Sequence, residues 1–374
     1  MKKNFKTQAI NLFVLSLTFY SLLSYSAETP KAGLDCTKRF SESCNQNFKP
    51  KATIKNMHYY SSLLMESKEK PTSALIVIHG FKHTAKEVFN VGLKATKKAD
   101  RLHDTVIIAP IFYADEMTPN YKHCMKDDSP VGDRKKDLVW SCQGWMEGAM
   151  AENDKNIGAF DILDQLINEL HKKWPSIKDI TIAGFSAGGQ TIQRYIGYAQ
   201  PNKNVNVRYV IADPGSWFYF DPERPVLQKN KKPAEWQTCI DDDMKNCDFK
   251  MEIPDKQACP NYNAWKYGNQ NMPTHLKRSL HKVKSAYAKA DIYYLEGALD
   301  SNSGKGTAYK LLDKSCAAKL QGPYRMQRGL SFAAYDRALI APEKKRTVTI
   351  VPNCKHDVSC VFSSDEAQSI LFKK

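Results

Sequence analysis

From about Ala52 the chain settles into alternating apolar runs and amphipathic stretches. Ala74-Leu75-Ile76-Val77-Ile78 is uninterrupted by any polar residue, the pattern of a strand buried on both faces. Thr105–Ala109 reads as a second buried strand, and Ile177–Ala183, Val207–Ala212, Asp291–Glu296 and Arg346–Val351 predict further strands. Between them, residues 85–97, 153–173 and 187–199 carry helical periodicity. In the second stretch Ile157, Phe160, Leu163, Leu166, Ile167 and Leu170 recur three and four apart, on one face. Pro175 bars its continuation. Ser363 and Glu366 have the spacing of a capping box, which predicts a closing helix over 364–372. Strands alternating with helices at these intervals imply a mainly parallel sheet with helices on both faces.

Other segments break the rhythm. Residues 28–50 are polar and read as an N-terminal extension. Residues 113–148 read as an elaborated loop. Residues 214–285, rich in aromatics, prolines and charges, read as an insertion on a core domain spanning 51–374. Trp217, Phe218, Tyr219, Phe220, Trp236, Tyr262, Trp265 and Tyr267 lie in that insertion, as its own core or as part of a binding cleft.

The 374 residues are 42% hydrophobic and 25% charged, a globular composition that excludes wholesale disorder. The start is different. Lys2, Lys3 and Lys6 precede an apolar run from Ala9 to about Leu23, followed by Ser24, Ser26 and Ala27. This is the layout of a secretory signal peptide over 1–27, cleaved after Ser26 or Ala27. The run is shorter than the ~20 residues a spanning helix needs, so no stable membrane span is expected after cleavage. The address implied is secreted or periplasmic. All ten cysteines lie beyond the signal, and an even number in an exported protein points to disulfides. Spacing suggests Cys36–Cys44, Cys124–Cys142, Cys239–Cys247 and Cys354–Cys360, with Cys259–Cys316 as a longer bridge. No Cys/His cluster has zinc-ligand spacing, and His79 with His83 is a weak metal pair; no metal or cofactor is expected. The net charge of +15 is spread along the chain with no nucleic-acid module, so no nucleic-acid partner is implied.

The chemistry concentrates at Gly184-Phe185-Ser186-Ala187-Gly188, a G-x-S-x-G motif with an expected strand before it and helix after it. Gly184 and Gly188 allow a turn too sharp for side chains at those positions, which pushes Ser186 into the open. A serine hydroxyl needs a base to take its proton. His356 stands in the expected place, after the last strand and between Cys354 and Cys360. The base needs an acid to hold its tautomer. Asp300, beyond the strand 291–296, is the first candidate, and Asp213, beyond 207–212, the second. The negative oxygen of a tetrahedral intermediate needs two N–H donors, for which Ala187 and Phe81 are the candidates.

His79-Gly80-Phe81, the Gly184–Gly188 turn, Asp300 and His356 together resemble the α/β-hydrolase superfamily, over about residues 74–372. The strings Gly184–Gln190, Ala258–Gly268, Cys316-Ala317-Ala318 and Gln321-Gly322 look like a poorly characterised secreted branch of fungi and bacteria. The resemblance implies an α/β-hydrolase fold with a cleft at the C-terminal ends of the strands. It implies a serine hydrolase, first of all a carboxylic-ester hydrolase acting on a small-molecule or polymeric ester through Ser186, His356 and Asp300. A peptidase or amidase on the same triad and a non-catalytic secreted binding protein are the alternatives.

Overall fold

The computed structural model describes residues 36–38, 40–64, 66–276 and 278–372; the expected signal peptide and residues 28–35 and 39 of the extension lie outside them. Eight strands form one sheet: β1 (Asn45–Phe48), β2 (Met57–Ser61), β3 (Ser73–Ile78), β4 (Thr105–Ile111), β5 (Asp179–Phe185), β6 (Asn206–Ala212), β7 (Asp291–Gly297) and β8 (Val348–Val351). Their order across the sheet is β1-β2-β4-β3-β5-β6-β7-β8. β2 runs antiparallel to β1 and β4, and every other pairing is parallel.

The apolar runs become strands with two buried faces because their side chains alternate. Ala74, Ile76 and Ile78 of β3 join one core cluster, while Leu75 and Val77 join the other. Val106 and Ile108 of β4 face the first cluster, Ile107, Ala109 and Ile111 the second. Helices cover both faces. Against the first face lie α2 (Ala159–Lys173), α3 (Ala187–Tyr195) and α5 (Arg325–Tyr335). Against the second lie α1 (Ala85–Lys98), α6 (Val358–Phe362) and α7 (Asp365–Leu371). A further helix, α4 (Leu280–Lys289), buries Val283 and Tyr287 in the first cluster. Truncating one such buried Ile or Leu to Ala typically costs about 2–5 kcal/mol.

Several boundaries differ from the sequence pattern. Residues 154–158 form a short strand, and the helix expected from 153 begins only at Ala159. The reason is local: the Asp161 carboxylate accepts the Gly158 N–H at 2.9 Å and starts the helix there. The closing helix is capped by Ser364, whose Oγ accepts the Ala367 N–H at 3.1 Å, one residue later than the expected Ser363. Within the segment expected as an extension, residues 45–48 pair with β2 as the sheet's edge strand.

Residues 214–285 divide in two. Trp217, Phe218, Tyr219 and Phe220 are buried in the main core, where the Trp217 ring stacks on Phe332 at 4.4 Å. Further along, residues 224–229, 232–233 and 247–252 make a separate three-stranded sheet. The buried Arg224 guanidinium leaves that sheet and donates to the carbonyls of Tyr262 and Tyr267 and to Asn263 Oδ1, at 3.0–3.2 Å. It ties down the turn that carries Lys266 and Tyr267. The structure brings together Cys36 with Cys44, Cys124 with Cys142, Cys239 with Cys247, Cys259 with Cys316, and Cys354 with Cys360. No helix among the described residues is long and apolar enough to cross a membrane.

Candidate active site

The parallel register determines where the chemistry gathers. Ile78 pairs with Gly184, Phe185 and Leu295 both pair with Ala212, and Gly297 pairs with Val351. Five strands therefore end close to one another, and the turns that follow them meet at one edge of the sheet.

Ser186 sits on the turn from β5 to α3 with φ 58° and ψ −117°, a region costly for any residue with a Cβ. The surroundings hold it there. Its N–H donates to the Ala212 carbonyl at 2.9 Å, and its own carbonyl accepts the Gln190 N–H at 3.0 Å. A Cβ on Gly184 would collide with the Gly188 carbonyl, and one on Gly188 with the Ile78 carbonyl. Both glycines are thus required by close backbone approach.

His356 lies in the loop after β8, between the paired Cys354 and Cys360. Its Nε2 is 2.9 Å from Ser186 Oγ, and its Nδ1 is 2.6 Å from Asp300 Oδ2. The loops that carry Asp300 and His356 are stitched together: the Ala298 and Leu299 N–H groups donate to the carbonyls of Val351 and Cys354 at 2.9 and 2.8 Å. The second Asp300 oxygen accepts from buried Arg325 Nη1 at 3.2 Å. Arg325 escaped the sequence reading because it lies in a stretch without clear periodicity, and nothing local marks its partner.

Asp213 is also buried at this edge, yet it makes no hydrogen bond to His356. Its Oδ1 accepts the Gly297 N–H at 2.9 Å, and its Oδ2 has no partner among the described residues. The structure brings Ser186, His356 and Asp300 into one hydrogen-bonded chain and leaves Asp213 beside it.

Phe81 belongs to the turn between β3 and α1. The Gly80 carbonyl accepts from His79 Nδ1 at 2.9 Å and from the His83 N–H at 3.1 Å. Because the peptide is trans, the Phe81 N–H points the opposite way. It meets no acceptor among the described residues. A Cβ on Gly80 would lie 3.9 Å from that of Ser186, so this turn passes directly over the serine. Ala187 is the first residue of α3, and its N–H has no carbonyl within the helix to bond. His79 uses both ring nitrogens, since Nε2 accepts the Phe112 N–H at 3.2 Å; it shapes the turn rather than holding an ion. Burial first, and then neighbouring His83, push its pKa down to about 3, so the ring stays neutral.

No family model and no curated protein matches this chain. Solved structures do. Poly(aspartic acid) hydrolase-1 from Sphingomonas sp. KT-1 superposes with a TM-score of 0.56 at 17% identity, over 87% of this chain and 97% of that one. LpqC, a poly(3-hydroxybutyrate) depolymerase from Bordetella parapertussis, follows with a TM-score of 0.49 at 14% identity, over 82% and 80%. XC6422 from Xanthomonas campestris, described as an α/β serine hydrolase without a lid, has a TM-score of 0.35 at 11% identity, over 85% and 88%. The chain has the α/β-hydrolase fold.

In this α/β-hydrolase fold the serine opens into a cavity of about 870 Å³. Gly80, Phe81, Ser186, Ala187 and His356 all line it. Of the aromatics in the insertion, Tyr267 lines the cavity, whereas Trp217, Phe218, Tyr219 and Phe220 pack the core below. Burial lowers the His356 pKa below the ordinary histidine value; the Arg325 cation adds to this and Asp300 opposes it. The imidazole is therefore neutral near pH 7, the form that accepts a proton. Burial does the opposite to Asp213 and Glu296, raising both well above the usual carboxylate range, and their neighbouring carboxylates reinforce it. Burial thus favours the protonated form of each.

Proposed function

We propose that the protein is an exported serine hydrolase that cleaves carboxylic esters through an acyl-enzyme on Ser186. The observation that carries this reading is the continuous hydrogen-bonded chain from Ser186 Oγ through both nitrogens of His356 to Asp300. His356 takes the hydroxyl proton as Ser186 attacks the ester carbonyl, then delivers it to the departing alcohol. Asp300 holds the imidazole in the tautomer that leaves Nε2 free to accept, and offsets the imidazolium charge. The N–H groups of Phe81 and Ala187 receive the negative oxygen of the tetrahedral intermediate. Water activated by His356 then releases the acid. Gly184 and Gly188 serve by keeping the turn tight.

The five paired cysteine bridges support an oxidising destination, as does the leader-like start of the chain. Mass spectrometry of the mature protein should find an N-terminus at Ala27 or Glu28, and an intact leader would contradict export.

The experiment that tests the function is turnover of p-nitrophenyl esters by the wild type and Ser186→Ala. The variant should lose at least about a thousandfold in kcat, with an unchanged circular-dichroism spectrum. Equal turnover by the two proteins would overturn the assignment.

A further inference from the structure

The cavity around Ser186 carries an unbalanced charge. Five lysines line it, at positions 82, 126, 266, 310 and 355. Two are answered by carboxylates: Lys126 by Glu87 at 3.6 Å, and Lys266 by Glu147 at 3.2 Å. The other three have no carboxylate partner among the described residues. Lys82 donates to the His123 carbonyl and Lys355 to the Lys305 carbonyl, contacts that position each ammonium without neutralising it. Lys310 is exposed, with no partner among the described residues.

The acids of the cavity are held in place by other groups, and the lysines outnumber them. Glu87 faces Lys126. Asp313 accepts the Tyr267 hydroxyl and the Ser315 N–H, with Lys266 at 4.0 Å. Asp357 caps α6, accepting the N–H groups of Ser359 and Cys360 at 2.8 and 3.0 Å. Arg325 and Asp300 cancel as a buried pair.

The three unanswered cations are also well placed. Lys82 adjoins Phe81, and Lys355 adjoins His356, so each is carried by a turn that also carries a site residue. Lys310 comes from the segment 306–311, which lines the cavity with Lys355. A low-dielectric cleft with an excess of one sign of charge concentrates ligands of the opposite sign.

Resting on the hydrolase reading above, we infer that the cleft selects esters bearing a carboxylate near the scissile bond, held by Lys82, Lys310 and Lys355. A neutral ester of the same shape gains nothing from these cations.

Two matched pairs test the inference on the oxidised full chain. The acyl side is probed with p-nitrophenyl hexanoate against the mono-p-nitrophenyl ester of adipic acid. The alcohol side is probed with methyl para-acetoxybenzoate against para-acetoxybenzoate. In at least one pair the anionic member should win by about tenfold or more in kcat/KM at low ionic strength. The ratio should shrink severalfold between about 20 mM and about 500 mM salt, because screening shortens the reach of exposed charges. In Lys82→Gln/Lys355→Gln that ratio should fall by about tenfold. Preference for the neutral member in both pairs at both salts would overturn the inference. So would a ratio unmoved in the double variant. An uncharged fluorophosphonate that still labels Ser186 in that case would leave the hydrolase reading standing. Failure of every ester and of the probe would sink both.

Discussion

β6 and β7 are neighbours, and each is followed by a buried aspartate. Beyond β7, Asp300 has a histidine on one oxygen at 2.6 Å and an arginine on the other at 3.2 Å. Beyond β6, Asp213 has one backbone N–H and no cation, and it shares its pocket with Glu296. Asp213, Asp300 and His356 all offer polar atoms within 4.8 Å of one another, so distance alone does not separate the two carboxyls. Their partners do. A guanidinium and a ring N–H beside a buried carboxyl favour its charged form, whereas carboxyl neighbours favour the protonated one. The fold thus supplies two acids, and their surroundings assign them different work.

The largest expected effect in this comparison is on the β7 side. Asp300→Asn keeps the shape but offers an amide where Nδ1–H needs an acceptor, and should cost about 10⁴ in kcat. Asp213→Asn preserves the oxygen that accepts the Gly297 N–H and mimics the protonated form that burial favours, so it should cost less than about tenfold. Ester kinetics on the two variants decide the matter. Reversed losses would mean that Asp213 is the acid that serves His356.

This choice also shows what the sequence could and could not reveal. Ser186 and His356 were legible because each follows a strand that announces itself by an apolar run, and Asp300 because of its place between them in chain order. The buried parallel strands were legible for the same reason. Less visible were β1 and β2, whose Asn45–Phe48 and Met57–Ser61 are short and mixed at an antiparallel edge. Helix α5 was missed because Arg325, Gln327 and Arg328 are buried polar residues that erase the expected periodicity. Their partners, such as Asp300 and the Ser301 carbonyl, come from an irregular loop. The lysines of the cleft were invisible for a related reason. Positions 82, 310 and 355 are far apart in the chain, and only the strand ends bring them together.

A smaller effect should appear in stability. The folded-state pKa of Glu296 is raised, so the unfolded chain releases this proton at lower pH than the native protein does. The stability linked to this group is full below the ordinary carboxylate range and is lost as pH rises toward the raised native value. Glu296→Gln removes that dependence. Its Tm relative to wild type should therefore climb by a few degrees from about pH 5 to about pH 8. A constant difference in thermal melts across that range would show that Glu296 is charged in the native state.

The smallest effect is a displacement of the pH profile. The proposed mechanism needs a neutral His356, and its pKa is lowered, so kcat/KM should stay level down through the ordinary histidine value and fall only below it. A half-maximum above about pH 6.5 would mean that Asp300 outweighs burial and Arg325 together.

The most direct test of the central claim is labelling of the oxidised, mature protein with a fluorophosphonate, followed by peptide mass spectrometry. The probe reacts with activated serines and asks nothing of the substrate. The account predicts one adduct, on the peptide containing Ser186, and none on Ser186→Ala. No adduct on correctly disulfide-bonded wild type, or an equal adduct on the variant, would contradict it.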